Sequence, residues 1–114
     1  MVPLTDSRAA LIVLAAGEGS RMGARRKALL PLGGRPLVEH SLRRLLALPE
    51  LSPVVLVGHR DDRAALGDLA AALPRAPLLV DGGARRQDSV LAGLRALPAT
   101  APALVLVHDA ARPF

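Results

Sequence analysis

Lys27 is the single lysine among fifteen lysine and arginine residues, and it stands just past a glycine-rich loop. The run ahead of it reads Leu11-Ile12-Val13-Leu14-Ala15-Ala16-Gly17-Glu18-Gly19-Ser20-Arg21-Met22-Gly23. An apolar segment passes straight into small residues and then into cations. That order suits the phosphates of a nucleotide. Glycines let backbone N–H groups approach phosphate oxygens closely, and Arg21 and Lys27 would neutralise the charge that remains. Phosphoryl and nucleotidyl transfer ask little covalent chemistry of a protein; they need fixed positive charge where negative charge grows. The same glycines also suit a tight strand-to-helix turn, and either cation taken alone also reads as part of a solvated loop.

Two further blocks carry polar groups at the ends of apolar runs. One is Val80-Asp81-Gly82-Gly83-Ala84-Arg85-Arg86-Gln87-Asp88-Ser89-Val90, in which Asp88 or Ser89 suits a helix start. The other is Val105-Leu106-Val107-His108-Asp109-Ala110-Ala111-Arg112-Pro113-Phe114. A carboxylate such as Asp109 at a strand end can bind Mg²⁺ or a ribose hydroxyl, and it can equally cap a loop.

Together the three blocks, from about Leu11 to Phe114, resemble the 2-C-methyl-D-erythritol 4-phosphate cytidylyltransferases. The first block is shared with many nucleotidyltransferases; the second and third are more specific. The resemblance implies transfer of a cytidylyl group from CTP to methylerythritol phosphate, with release of pyrophosphate and with Mg²⁺ as cofactor. It implies that Ala15, Ala16, Gly17 and Gly19 surround the nucleotide, with backbone N–H groups on the triphosphate, and that Arg21 and Lys27 are catalytic. Gly82, Gly83 and Ala84 would approach cytosine and ribose, and Ser89 would help to read the base. Asp109 would lie beside nucleotide and metal, and Arg112 near the incoming sugar phosphate. His108 is not needed as a general base, because a phosphate monoester is already largely ionised at neutral pH. Two departures stand out: Arg26 precedes the lysine where many members have proline, and Ala84 stands where an acidic residue is common. Alternatives are a ribitol 5-phosphate cytidylyltransferase or another sugar-phosphate nucleotidyltransferase. From a different class, a nucleotide-binding module without catalysis also fits. The His-Asp-Ala-Ala-Arg-Pro block argues against a guanylyl-transferring relative.

Members of that family are much longer. Residues 1–114 are therefore expected to form the amino-terminal, nucleotide-binding half of one cytidylyltransferase domain, truncated after its fourth strand. Further strands, a dimerisation arm and most acceptor contacts would lie beyond Phe114. The full-length enzyme is expected to be a homodimer. The 114-residue chain alone is expected to be inactive, weakly stable and prone to associate along Leu104–Val107.

Composition narrows the alternatives. At 114 residues with 51% hydrophobic side chains, this is one domain with a core. One phenylalanine and no tryptophan or tyrosine leave leucine, valine and alanine to fill it. The net charge of +5 raises the question of nucleic acid. The arginines are dispersed among acids, however, and aromatics for base stacking are absent, so no nucleic-acid partner is expected. Without cysteine there are no disulfides or thiolate metal sites. The first residues do not read as a signal sequence, and no apolar stretch reaches the ~20 residues a bilayer requires. The expected location is the cytoplasm.

The elements that must position the three blocks alternate. Strand-like runs are expected at Ala10–Ala15, Pro53–Gly58, Leu78–Val80 and Ala103–Val107. Helical spacing is expected over Pro36–Leu48, Asp61–Leu73 and Gln87–Leu97, with Gly17–Lys27 as loop around one helical turn near Met22. This predicts an α/β, doubly wound, Rossmann-like, mostly parallel sheet of nucleotidyltransferase type. The third strand should lie outside the second, the second beside the first, and the fourth on the first strand's other side. The switch point then falls between the first and fourth strands, where ligands bind in such sheets.

Overall fold

The computed structural model of the protein describes residues 8–17 and 27–110. Six strands and three α-helices follow one another in that span. β1 (Ala9–Ala15) is buried at every position. An unbroken apolar run of that kind belongs in the middle of a parallel sheet with both faces covered. It pairs in parallel with β4 (Leu51–Gly58) on one side and β6 (Val105–Asp109) on the other, and β5 (Leu78–Asp81) adds outside β4. The order β5-β4-β1-β6 is the predicted one.

The helices divide between the faces. α1 (Leu37–Leu46) and α2 (Arg63–Ala71) share one core with the sheet, in which Val38, Leu42 and Leu66 meet Leu11, Val13 and Leu56. α3 (Arg86–Ala96) follows β5 and covers the other face, where Ile12, Leu14, Val55 and Val57 are buried and Val90, Ala96 and Leu97 close over them. The chain crosses back over the sheet between β5 and β6, so β1 and β6 flank the reversal. No helix among the described residues is long and apolar enough to cross a membrane.

Local chemistry sets the ends of these elements. The Arg75 guanidinium ties the end of α1 to the start of β4, donating to the carbonyls of Leu46 (3.1 Å), Leu48 (3.1 Å) and Leu51 (2.7 Å). At Leu46 it satisfies a carbonyl that the helix end leaves open, and it places a cation at the negative end of the helix. The segment before α1 departs from expectation. Instead of a helix opening at Pro36, β2 (Pro31–Leu32) and β3 (Arg35–Pro36) form a small antiparallel hairpin, and Pro36 is the N-cap. His40 reaches back from α1 to the Leu32 carbonyl at 2.6 Å. α2 also starts later than the expected Asp61, because a 3₁₀ turn over Arg60–Asp62 precedes it.

β6 is shifted by two residues from the expected Ala103–Val107. The apolar run there suggested its own limits, but pairing to β1 decides. His108 aligns with Val13 and Asp109 with Leu14, so Asp109 is the last strand residue and not part of the loop. β6 is the outer strand on its side among the described residues, and Leu104, Leu106 and Val107 on or beside it are exposed.

The contact of α3 with the sheet is close enough to test. A Cβ on Gly93 would lie 2.7 Å from Ile12 Cγ2 and 3.0 Å from Ile12 Cδ1. Helix propensity alone favours Gly93→Ala by about 1 kcal/mol. Overpacking against a fully buried, β-branched side chain costs about 1–3 kcal/mol, so the clash should win. Gly93→Ala is expected to lower the urea midpoint without changing the slope of the transition; a raised midpoint would mean that α3 sits farther from β1.

Candidate nucleotide site

All four strands of the main sheet run in parallel, so their carboxyl ends lie along one edge. Ala16 follows β1, His59 and Arg60 follow β4, Gly82–Ala84 follow β5, and Asp109 ends β6. These residues line a cleft of two joined compartments. The larger, of about 350 Å³, is bounded by Ala16, His59, Arg60, Gly82, Gly83 and Ala84. The smaller, of about 140 Å³, lies toward β6 and includes Gly17, Ser89, Arg86 and Asp109. Ala16, Gly83 and Ala84 belong to both.

Small residues are required at the junction. A Cβ on Gly82 would stand 2.5 Å from Ser89 Oγ, 2.6 Å from Ala16 Cβ and 3.0 Å from Val57 Cγ1. Side chains from the end of β1, from α3 and from β4 crowd this position, and only glycine leaves room. The Gly82 N–H donates to the Gly58 carbonyl at 2.8 Å, extending the β4–β5 ladder by one rung. The Gly83 N–H donates to Ser89 Oγ at 3.2 Å. Ser89 is buried on the first turns of α3, and its hydroxyl thereby holds the loop after β5. One acceptance from Gly83 leaves the hydroxyl its own proton and a second lone pair, which a ligand in the smaller compartment can meet.

The start of α3 is organised by Asp88. Its carboxylate accepts from the Arg85 N–H at 3.2 Å and from Arg85 Nε at 3.3 Å. An acidic third residue bonded back to the N-cap N–H satisfies an open donor and favours the positive helix end. These bonds hold the Asp88 carboxyl below its ordinary pKa, the Arg85 side chain contributing most. On the β4 side, His59 Nδ1 accepts from the Asp61 N–H at 3.1 Å, which shapes the 3₁₀ turn that carries Arg60. The Arg63 guanidinium makes a forked pair with Asp81, whose hydrogen bonds and charge raise the Arg63 pKa further above its ordinary value.

Several expected site residues are thus brought together: Ala16, Gly17, Gly82, Gly83, Ala84, Ser89 and Asp109. Ala15 differs, since its side chain packs into the core on the α1 face. His108 falls on that same face with its neighbour Val13, while Asp109 is on the α3 face with Leu14 and Ser89. The alternation of a strand thus keeps the histidine out of the cleft. Gly19, Arg21 and Arg112 lie outside the described residues, as does the side chain of Lys27, whose backbone opens a 3₁₀ turn over Lys27–Leu29. His59 and Arg60 were missed by motif reading. The available signal was their place directly after a buried strand adjacent to β1.

The donor set bears on a metal. Among the described residues no group of three histidine or acidic side chains could hold an ion. A single carboxylate, Asp109, lines the smaller compartment. That suits Mg²⁺, which commonly takes one or two carboxylates and completes its shell with substrate phosphates and water.

The Asp88 geometry has a pH consequence. A folded-state pKa below the unfolded value means that the ionised carboxylate stabilises the folded state. Its contribution is complete above the unfolded value of about 3.9 and is lost as pH falls through the lower, folded value. The Asp88 carboxyl carbon, followed by NMR, should titrate below the ordinary aspartate midpoint, and Arg85→Ala should move it upward. A midpoint unmoved by that substitution would show that the Arg85 guanidinium does not hold Asp88.

Residues 9–114 match the family of 2-C-methyl-D-erythritol 4-phosphate cytidylyltransferase, IspD. The chain is 49% identical over 108 residues to a bifunctional enzyme IspD/IspF of Granulibacter bethesdensis, covering 94% of this chain and 27% of that protein. It is 44% identical over 103 residues to the 2-C-methyl-D-erythritol 4-phosphate cytidylyltransferase of Prochlorococcus marinus, covering 90% of this chain and 45% of that one. The crystal structure of the 4-diphosphocytidyl-2C-methyl-D-erythritol synthase of Anaerococcus prevotii superposes with a TM-score of 0.80 at 32% identity, over 96% of this chain and 46% of that one. The chain thus spans less than half the length of these relatives. Sequence blocks, strand order and likeness agree: the chain belongs to the 2-C-methyl-D-erythritol 4-phosphate cytidylyltransferase family.

Proposed function

We propose that a chain of the relatives' full length carrying these residues transfers the cytidylyl group of CTP to 2-C-methyl-D-erythritol 4-phosphate and releases pyrophosphate. The observation that carries this reading is the meeting of Ala16, Gly17, Gly82, Ser89 and Asp109 in one cleft of a chain belonging to this family. In the reaction an oxygen of the 4-phosphate attacks the α-phosphorus of CTP in line. A P–O bond forms there as the bond to the β-phosphate oxygen breaks. The attacking monoester is already anionic, so no protein base is required, which agrees with a His108 on the far face.

The residues divide the work. Backbone N–H groups of Gly17 and Gly19 hold the triphosphate. Gly82, Gly83 and Ala84 give the base and ribose a backbone-lined wall, and Ser89 supplies a hydroxyl that is already oriented by Gly83. Arg21 and Lys27 supply positive charge where it accumulates on the α-phosphate and the leaving pyrophosphate. Asp109 would hold Mg²⁺, which when bound screens the triphosphate and favours departure of pyrophosphate. Arg112 meets the acceptor phosphate. A cytoplasmic homodimer is part of the same reading.

Two measurements test it. Calorimetry should show tighter binding of Mg·CTP than of Mg·ATP; equal or reversed affinities would overturn the cytidylyl assignment. In the full-length enzyme, Arg21→Ala and Lys27→Ala should each lower kcat more than they raise KM for CTP, because charge on the phosphates grows toward the transition state. Each should cost about 3 kcal/mol, the scale of removing one electrostatic donor. A change in KM alone would assign that residue to ground-state binding.

A further inference from the structure

The larger compartment has two walls that come from different strands. One is His59–Arg60, after β4; the other is Gly82–Ala84, after β5. Gly58 and Asp81 are the last aligned pair between these strands. One more backbone bond, from the Gly82 N–H to the Gly58 carbonyl, follows at 2.8 Å, and among the described residues the backbone ladder between the walls ends there. Beyond that rung the walls diverge into a 3₁₀ turn and a loop. A pair of side chains also links the elements that carry them. Arg63 opens α2 immediately after the turn that carries Arg60. It grips Asp81, the residue before Gly82, through both arms of its fork. Nε donates to Oδ1 at 3.2 Å, and a terminal nitrogen meets Oδ2.

We propose that Arg63 and Asp81 are positioning residues whose forked ion pair fixes the separation of the His59–Arg60 and Gly82–Ala84 walls, and with it the hold of the larger compartment on its nucleotide. Two parallel bonds between planar groups fix orientation as well as distance, which a point charge cannot do. Exposure argues that the effect is local. Arg63 is 67% and Asp81 35% exposed, and pairs in such positions add little to global stability. Their influence therefore falls on the loops they join. The nucleotide part of this inference rests on the reading of the cleft as a CTP site; the strut itself does not.

The test uses a chain of the relatives' full length and the variants Arg63→Ala, Asp81→Asn, Arg63→Lys and the exchanged pair Arg63→Asp with Asp81→Arg. Amide hydrogen exchange is followed by mass spectrometry in segments spanning 58–62, 82–85 and 10–14, with Mg·CTP affinity by calorimetry. Arg63→Ala and Asp81→Asn should speed exchange several-fold in the first two segments and leave 10–14, in buried β1, unchanged. Their CTP affinity should fall about two- to fivefold, the range for an exposed ion pair. Arg63→Lys, which keeps the charge and loses the fork, should lie between, and the exchanged pair should recover most of both effects. Unchanged exchange in the two loop segments would overturn the proposal. So would equal acceleration in all three segments, since that would make the pair a contributor to overall stability only. Should an alanine variant fail to fold, Arg63→Lys decides by the same comparison. If the unaltered chain binds no CTP while the exchange pattern appears as described, the nucleotide reading fails and the strut stands.

Discussion

The close packing of Ala16, Val57 and Ser89 around Gly82 is the constraint on which the cleft depends. The end of β1 at Ala16, the end of β5 at Gly82 and the first turns of α3 at Ser89 meet where even a methyl group would lie 2.5–2.6 Å from its neighbours. That approach needs β4 and β5 to end together, which their register from Val55–Leu78 to Gly58–Asp81 provides. It also needs α3 to lie low on the sheet, which Gly93 permits by giving Ile12 its space. Ser89 then reaches the Gly83 N–H, and a loop that could adopt many conformations is fixed from a helix. The site is therefore a by-product of sheet packing at a switch point, as expected where strand order reverses.

Electrostatics divides the arginines into two kinds. Some are committed to structure. Arg75 closes the end of α1, Arg43 bonds Glu39 at 2.7 Å along that helix, Arg85 holds Asp88, and Arg63 holds Asp81. Others, Arg60 and Arg86, line the cleft. These two place positive charge at the strand-end edge.

Much of this was legible in the sequence, for definite reasons. β1 is apolar without interruption, so its central, doubly covered position followed directly. The repeated strand–helix alternation then left few topologies, and the handedness of crossovers chose the observed order. Ala16, Gly17, Gly82, Gly83, Ala84, Ser89 and Asp109 could be named together through the resemblance of the three blocks to one family, and the fold brings them to one cleft. The hairpin of β2 and β3 was not legible, since two-residue strands show no alternation. Its one signal was Gly33-Gly34, which adopt φ of +62° and +86° and so fit a tight two-residue turn. β6 was displaced because local hydrophobicity suggested Ala103–Val107, whereas pairing with β1 recruited the polar His108 and Asp109. Ala15 was grouped with Ala16 by composition, yet consecutive strand residues face opposite ways, and only the second reaches the cleft.

The residues that escaped motif reading, His59, Arg60 and Arg63, share a cause. Each owes its place to topology and not to a local pattern: the turn after β4 becomes a wall only because β5 ends beside it. Gly58 bonds Gly82, and Arg63 bonds Asp81, across 18 or more residues of sequence. A family motif marks positions where chemistry restricts the side chain. The opposite wall needs only a surface of the right separation, so it can be built from whatever follows β4, provided something holds it in register. In this chain that wall is a histidine-capped 3₁₀ turn closed by an arginine fork. The compartment thus has one face set by the requirement for glycine and another set by an ion pair.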